Sequence, residues 1–385
     1  MDIRRQSEDL RRWLTEQALP LWSATGYDTA RGGFVETIAL DGAPTQAHRR
    51  ARVQPRQVYC FAEAGRRGWA GDWARIATDG LAYFDRVYRR EDGFYGALAN
   101  ADGQMIDDSF DIYNQAFAFL AFAYLARVFP ARLEEMAGRS NALRVALEQR
   151  VRHPVAGFEE DQPPRLPLCS NPHMHLFEAA LASEEVEGFD QAAWANLADE
   201  IAQLAMDRFI DQDSGALREF FDHDWQPMPG EKGRIVEPGH QFEWAWLLTR
   251  WGERRGHAGA LAKARRLFAI GEAHGICPTR KVAVMQLLDD FSVHDPVARL
   301  WPQTEWLKSA IRFAALTEGA EREAYLVSAG RAIAALMPFL DTPVVGLWRD
   351  KQKPDGIFID EPAPASTFYH ILCAIYELED CLRRF

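Results

Sequence analysis

Six times along the 385 residues a helix opens on polar side chains at nearly the same distance from the one before. With Arg56, Asn114, His175, His240, Glu305 and His370 as markers, the five steps are 58, 61, 65, 65 and 65 residues. Each step is room for two helices and their connections, the spacing of a helical-hairpin repeat. A second signal keeps similar time. Gly32-Gly33-Phe34, Gly93-Phe94-Tyr95, Gly157-Phe158 and Gly215-Ala216-Leu217 fall about sixty residues apart and read as hairpin-like turns. After a gap of about twice that period come Gly346-Leu347-Trp348 and Gly356-Ile357-Phe358, and the connection 276–301, with Cys277-Pro278 and Asp295-Pro296, stands where an eroded copy belongs.

Between these turns the apolar residues recur at helical spacing, as Leu10, Trp13, Leu14 and Leu21 do, and alternating β-branched runs are almost absent. The pattern predicts twelve helices, at about 4–19, 55–67, 72–90, 109–128, 132–152, 172–184, 191–210, 240–255, 258–274, 302–317, 321–339 and 365–383. Six helical hairpins cannot each bury their own apolar faces. Closing them into a ring gives an all-α toroid, an (α/α)6 barrel, with an open solenoid of helix pairs as the competing arrangement. No composition break or linker divides the chain, so residues 1–385 are expected to form a single catalytic domain.

Composition narrows the partners. A net charge of −12 with no basic stripe argues against nucleic acid. The opening MDIRRQSEDLRRWL lacks an apolar segment and no run approaches eighteen apolar residues, so membrane insertion and secretion are not expected and a cytoplasmic location is. The five cysteines are scattered without a C-x-x-C pair, which argues against a disulfide framework and a zinc site. A homo-oligomer is compatible with all of this.

In a closed barrel the inner helices aim equivalent ends at one mouth, so the polar openings would converge on one funnel. Pro238-Gly239 leads into a helix whose first turn carries His240 and Glu243, three apart and therefore on one face. Arg52, Arg56, Asp108, Tyr113, Asn114, Asn171, His175, Trp301, Glu305, Lys308 and His370 occupy comparable positions. Each also has a plainer reading. Asp108 and Asn171 suit helix caps, Glu305 and Lys308 an i,i+3 ion pair, and His370 a satisfied core histidine. His173 and His175 invite a metal reading, but two residues apart on a helix their imidazoles diverge by about 200°; neither metal nor cofactor is expected.

Three histidines around an aromatic, carboxylate-bearing mouth suit proton transfer next to a carbonyl. Imidazole takes and returns a proton near neutral pH, and Arg52 with a second, protonated histidine can hold the enediolate oxygen. The segments RVQPRQ (52–57), SFDIYNQAF (109–117), NPHMHLFEA (171–179), EPGHQFEWAWLL (237–248), WPQTEWLKSA (301–310) and STFYHI (366–371) resemble the signature segments of the N-acylglucosamine 2-epimerase superfamily. That resemblance implies an (α/α)6 barrel, a monosaccharide substrate and no metal. It implies His240 and His370 as the acid/base pair, supported by Arg52, His175 and Glu243, with Tyr113, Asn171, Trp301 and Glu305 lining the sugar pocket. Within the superfamily the chain is most similar to the aldose–ketose isomerases of the mannose/fructose type, with sugar 2-epimerases as the alternative. His370 is expected to move the proton between C2 and C1 and His240 to serve ring opening, oriented by Glu243. A glycoside hydrolase on the same barrel and a non-enzymatic sugar-binding protein are the competing classes; three phased histidines are superfluous to a two-carboxylate hydrolase.

Overall fold

The computed structural model describes residues 2–385. Twelve principal helices follow one another: α1 (Ile3–Trp13), α2 (Val53–Arg66), α3 (Trp73–Tyr88), α4 (Ile112–Val128), α5 (Leu133–Arg150), α6 (Ser170–Glu184), α7 (Gln191–Leu204), α8 (Pro238–Arg255), α9 (Ala258–His274), α10 (Leu300–Leu316), α11 (Gly319–Leu340) and α12 (Ser366–Leu382). The even-numbered helices form an inner ring, each packed on the next, and α12 closes the ring against α2. Each odd-numbered helix backs an inner one, and α1 lies against α12, so the two ends of the chain complete the sixth pair. The expected (α/α)6 barrel is the fold.

Burial separates the two rings as their sequences require. In α4, IYNQAFAFLAFAYLARV is apolar around its whole circumference and nearly every residue is buried. In α3 only one stripe is buried, Ile76, Ala77, Gly80, Leu81, Phe84 and Tyr88 among it, the face an outer helix turns inward. α8 starts on Pro238 at its first position and stops at Gly256, whose φ of 62° is the left-handed cap that glycine adopts without strain. The expected helix bounds hold to within three residues, with two exceptions. α1 runs on past residue 19 through π-turns at Leu14–Ala18 and Trp22–Gly26, whose wider winding tolerates Pro20. The helix expected to reach residue 210 is α-helical only to Leu204 and finishes in a π-turn. α11 is the one described helix long and apolar enough to cross a membrane, and it packs here on α10 with half of that stretch buried.

The connections that enter the inner helices are long, and their short strands form a belt around the mouth. The segment just before each inner helix pairs with the connection ahead: Arg49–Arg50 with Leu98–Ala99, Phe110–Asp111 with Asp161–Gln162, Leu168–Cys169 with Phe220–Phe221. Val236 then bridges Leu287, Ala298–Arg299 pairs with Lys351–Gln352, and Ala363–Pro364 returns to Thr37–Ile38. Backbone hydrogen bonding therefore closes the circle at this end as helix packing closes it below.

In four of the six units a buried glutamine in the first turns of the inner helix fastens the connection. Gln54 accepts from the Phe34 N–H and donates to its carbonyl, and Gln115 does the same for Tyr95, Gln241 for Leu217 and Gln303 for Ala283. In the third unit His173 replaces glutamine, its Nε2 accepting from Phe158 N–H while Nδ1 bonds the Cys169 carbonyl. In the sixth, Phe368 stacks on Trp348 at 5.5 Å instead. The fastened residues are the glycine-aromatic turns. The missing fifth copy is Lys281-Val282-Ala283, where Lys281 holds φ = 62° in the place that Gly32, Gly93, Gly157 and Gly215 fill elsewhere.

These fasteners also reset the register. Arg56, His175, Glu305 and His370 lie two residues after their unit's fastening position (Gln54, His173, Gln303, Phe368), whereas Asn114 and His240 lie one residue before theirs (Gln115, Gln241). The six markers thus occupy two layers one helical turn apart, not a single repeated address.

Candidate active site

The belt encircles a cavity of about 380 Å³ whose wall is made by the openings of the inner helices and the connections above them. His240 and His370 both face it, with the Trp301 indole between them, its ring centre 5.0 Å from one imidazole and 5.7 Å from the other. His175 lies 6.5 Å from His370, ring centre to ring centre.

The two facing imidazoles are held in different charge states. His240 is buried, which by itself favours the neutral ring, but Glu219 at 2.9 Å and Glu237 at 3.4 Å from Nδ1 outweigh that and raise its pKa to about 10. It is an imidazolium at neutral pH, donating Nδ1–H to Glu219 and left with Nε2–H as a free donor. Burial also drives His370 toward the neutral form, and the Arg56 and Lys308 charges push the same way, so its pKa falls well below the ordinary value. Its Nδ1 donates to Glu305 at 2.8 Å, which fixes the tautomer and leaves the Nε2 lone pair for the cavity. One ring is a poised acid and the other a poised base.

Beneath them the barrel axis is filled by charge. Lys308 sits 2.7 Å from Glu305 and 3.9 Å from the centre of the Trp246 ring, both residues without solvent exposure. Glu178 contacts His175 at 3.4 Å and accepts from the Tyr369 hydroxyl, and burial holds His175 neutral, its pKa lowered to about 3. Glu243 reaches the cavity from below. Burial, then the nearby Glu305 charge, raises its pKa well above the carboxylate range, and neither of its oxygens has a partner among the described residues. That shift favours the protonated carboxyl, which has a hydrogen bond to offer.

Of the expected site residues, His240, His370, Glu243, His175, Arg52, Arg56, Tyr113, Asn171 and Trp301 do line this cavity. Arg52 pairs with Asp111 at 3.1 Å and lies over the Tyr113 ring, while Arg56 donates to the Tyr113 hydroxyl at 2.6 Å and to the Ser366 carbonyl. Four expectations are corrected. Asp108 is exposed on the connection before α4, where its carbonyl takes a bond from Arg90; it neither caps the helix nor meets the cavity, because Asp111 is the cap. Asn114 is buried behind the wall with its amide directed to the Gly96 carbonyl. Glu305 and Lys308 lie under the floor, and Glu305 acts through His370. Glu243 does not orient His240: Glu219 and Glu237 do.

Those two carboxylates, with Arg50 and Arg299 on the rim, escaped the sequence reading. Glu237 stood inside the segment EPGHQFEW, three residues before His240, and was readable by the same spacing that singled out Glu243. Glu219 arrives from the connection and carried no periodic signal. His173 and His175 serve opposite faces of α6, as their separation predicted, one fastening a turn and the other facing the cavity.

A larger basin, about 590 Å³, opens at the other end of the barrel, among the C-terminal halves of the inner helices. Six of the seven arginines lining it are engaged by carboxylates: Arg127, Arg250 and Arg254 by Glu185, Arg312 by Glu253 and Glu377, Arg66 by Glu63, and Arg67 by Glu63 and Asp380. Cations at helix C-termini complement the negative ends of the helix dipoles there; among the described residues no imidazole lines that basin.

Comparison with known proteins agrees with this geometry. A protein of Rhizobium meliloti named mannose-6-phosphate isomerase is 74% identical over 384 residues, covering 100% of this chain and 99% of its own length. A crystal structure of a D-mannose isomerase superposes with a TM-score of 0.87 over 98% of this chain and 97% of its own, at 20% identity. Cellobiose 2-epimerase from Bacillus thermoamylovorans gives 0.85 over 97% and 99%, at 17% identity. Residues 32–374 match the family described as N-acylglucosamine 2-epimerase, and with the barrel and the paired imidazoles in place the chain belongs to that family of sugar isomerases and epimerases.

Proposed function

We propose that the chain is an aldose–ketose isomerase acting on the mannose/fructose hexose scaffold, with His370 as the base that moves the carbon-bound proton and His240 as the acid that serves the oxygens. The observation that carries the reading is the pair of imidazoles, one cationic and one neutral, on either side of Trp301 in one cavity. With the open-chain aldose bound, His370 Nε2 takes the C2 proton as His240 Nε2–H gives a proton to O1, forming a cis-enediol. His240 then takes the O2 proton while His370 returns its proton to C1, and the ketose results with both rings restored. Glu305 keeps His370 in the basic tautomer, and Glu219 with Glu237 keeps His240 charged. The Glu243 carboxyl, in its protonated form, is the remaining donor for the developing oxyanion.

A 2-epimerase would use the same charge asymmetry, with His240 delivering its proton to the opposite face of C2. The 74% identity to a protein named as an isomerase, across the whole chain, favours the ketose outcome. The test is proton NMR of mannose incubated with the enzyme in deuterated buffer. Fructose as the product supports the assignment; glucose carrying C2 deuterium, with no fructose, refutes it.

A further inference from the structure

We propose that this cavity takes a hexose carrying a phosphate monoester on the carbon remote from its carbonyl, with Arg50, Arg52 and Arg299 reading the phosphate. The proposal rests on the isomerase reading and adds the substrate class. Its basis is how the cavity's charges are sorted. The carboxylates Glu219 and Glu237 gather around His240 at α8, whereas Arg50, Arg52 and Arg56 stand at α2, diametrically across the six-membered ring. Arg299 opens α10, and α12 with His370 lies between α10 and α2. Arg50 and Arg299 thus flank the start of α12 from its two sides at the mouth, Arg50 on Ser366 and Arg299 on the Asp350 that accepts from Thr367, so a sugar whose C1–C2 edge lies between His240 and His370 and whose other end rises to the mouth meets guanidinium groups there.

Each rim arginine is braced from behind and keeps donors to spare. Arg50 places Nε on Glu36 at 2.5 Å and Nη2 3.3 Å from the Ser366 hydroxyl. Arg52 gives only Nη1 to Asp111. Arg299 sets Nε and Nη2 on one oxygen of the buried Asp350, at 3.0 and 2.9 Å. Nη1 of Arg50, Nε and Nη2 of Arg52 and Nη1 of Arg299 have no hydrogen-bond partner among the described residues. These side chains are 38%, 25% and 32% exposed, at the mouth rather than on the floor. A guanidinium fixed by a carboxylate on one edge and open on the other is preorganised for a tetrahedral oxyanion. The hydroxyls of a neutral hexose call for mixed donors and acceptors, not an arc of three cations.

The test compares kcat/KM for mannose 6-phosphate and mannose, by ketose formation, in the wild type and in Arg50→Gln, Arg50→Lys and Arg299→Gln. The expected result is that the wild type prefers the phosphorylated sugar and that the ratio of the two kcat/KM values falls roughly tenfold in each glutamine variant, through KM, and less in the lysine variant. Inorganic phosphate should compete with mannose, and its inhibition constant should rise in the same order. A ratio unchanged by the variants, or turnover of mannose alone, overturns the proposal. Ketose from neither sugar removes the isomerase reading instead. Calorimetric binding of mannose 6-phosphate then decides the phosphate site: affinity about tenfold weaker in Arg50→Gln keeps it, and equal affinity sinks it. Because Glu36 loses its partner in Arg50→Gln, thermal unfolding of each variant checks the fold, and Arg50→Lys keeps the charge if that variant unfolds.

Discussion

His240 meets the wrong glutamate for a reading based on spacing alone, and the reason is local. Side chains on a helix lean toward its N-terminus, so an imidazole in the first turn reaches back to Glu237 and up to the connection bearing Glu219, not forward to Glu243. Glu219→Gln keeps the shape and removes a charge that raises the His240 pKa. The alkaline limb of kcat/KM, set near pH 10 by loss of the His240 proton, should therefore move to lower pH, with kcat down roughly 10- to 100-fold; a pH–rate profile of the variant checks it, and an unmoved limb contradicts the role. On the other ring, Glu305→Gln lets the amide oxygen still accept from Nδ1 but leaves Lys308 buried without its counter-charge. Turnover should drop at least as far, with a loss of thermal stability that Glu219→Gln does not share to the same degree. The residue types of the site were legible because α2, α6, α8, α10 and α12 each announce their openings with a proline or a polar pair. The partners that set charge states were not, since Glu219 comes from a different segment and only the fold brings it within 2.9 Å.

At the scale of elements, the long helices were legible from apolar periodicity, and the ring from the need to bury both faces of the inner helices. The register was not. Three equal steps of 65 residues joined positions from two layers, because connections of unequal length compensate for a helical turn. The true repeat is the fastening position, glutamine in four units, histidine in one and phenylalanine in one, invisible in sequence because its partner in most units is backbone. Its worth can be measured. Gln115→Leu would leave the Tyr95 N–H and carbonyl unpaired inside the wall, a cost of about 2–4 kcal/mol for two buried groups. Calorimetry should show a lower unfolding temperature by several degrees, with little change in kcat at 25 °C, since Gln115 lines no part of the cavity. Lys281→Gly should act in the opposite direction and more weakly, by up to about 1 kcal/mol, because glycine adopts φ = 62° without the steric penalty that lysine bears.

For the molecule as a whole, one of these fasteners couples stability to pH. His173 does in the third unit what glutamine does in four others, and it must be neutral to do it, since its Nε2 accepts a backbone N–H. Burial lowers its pKa to about 4, below the ordinary 6.5 it regains on unfolding. Between those values the unfolded chain binds a proton that the folded chain refuses, so this residue's contribution is complete above pH 6.5 and is lost as pH falls through 4. Buried carboxylates with raised pKa, Glu160 at about 8 among them, act in the reverse sense over part of the same range, so the total curve does not isolate the histidine. The difference between two proteins does. His173→Gln installs the side chain used in the other units, able to accept the same N–H and unable to titrate. The unfolding temperature of this variant minus that of the wild type should be nearly constant above pH 7 and should climb as pH drops from 6.5 toward 4. A difference that stays flat across that window would mean that His173 carries its proton in the folded barrel, and that Phe158 is held by something other than the imidazole lone pair.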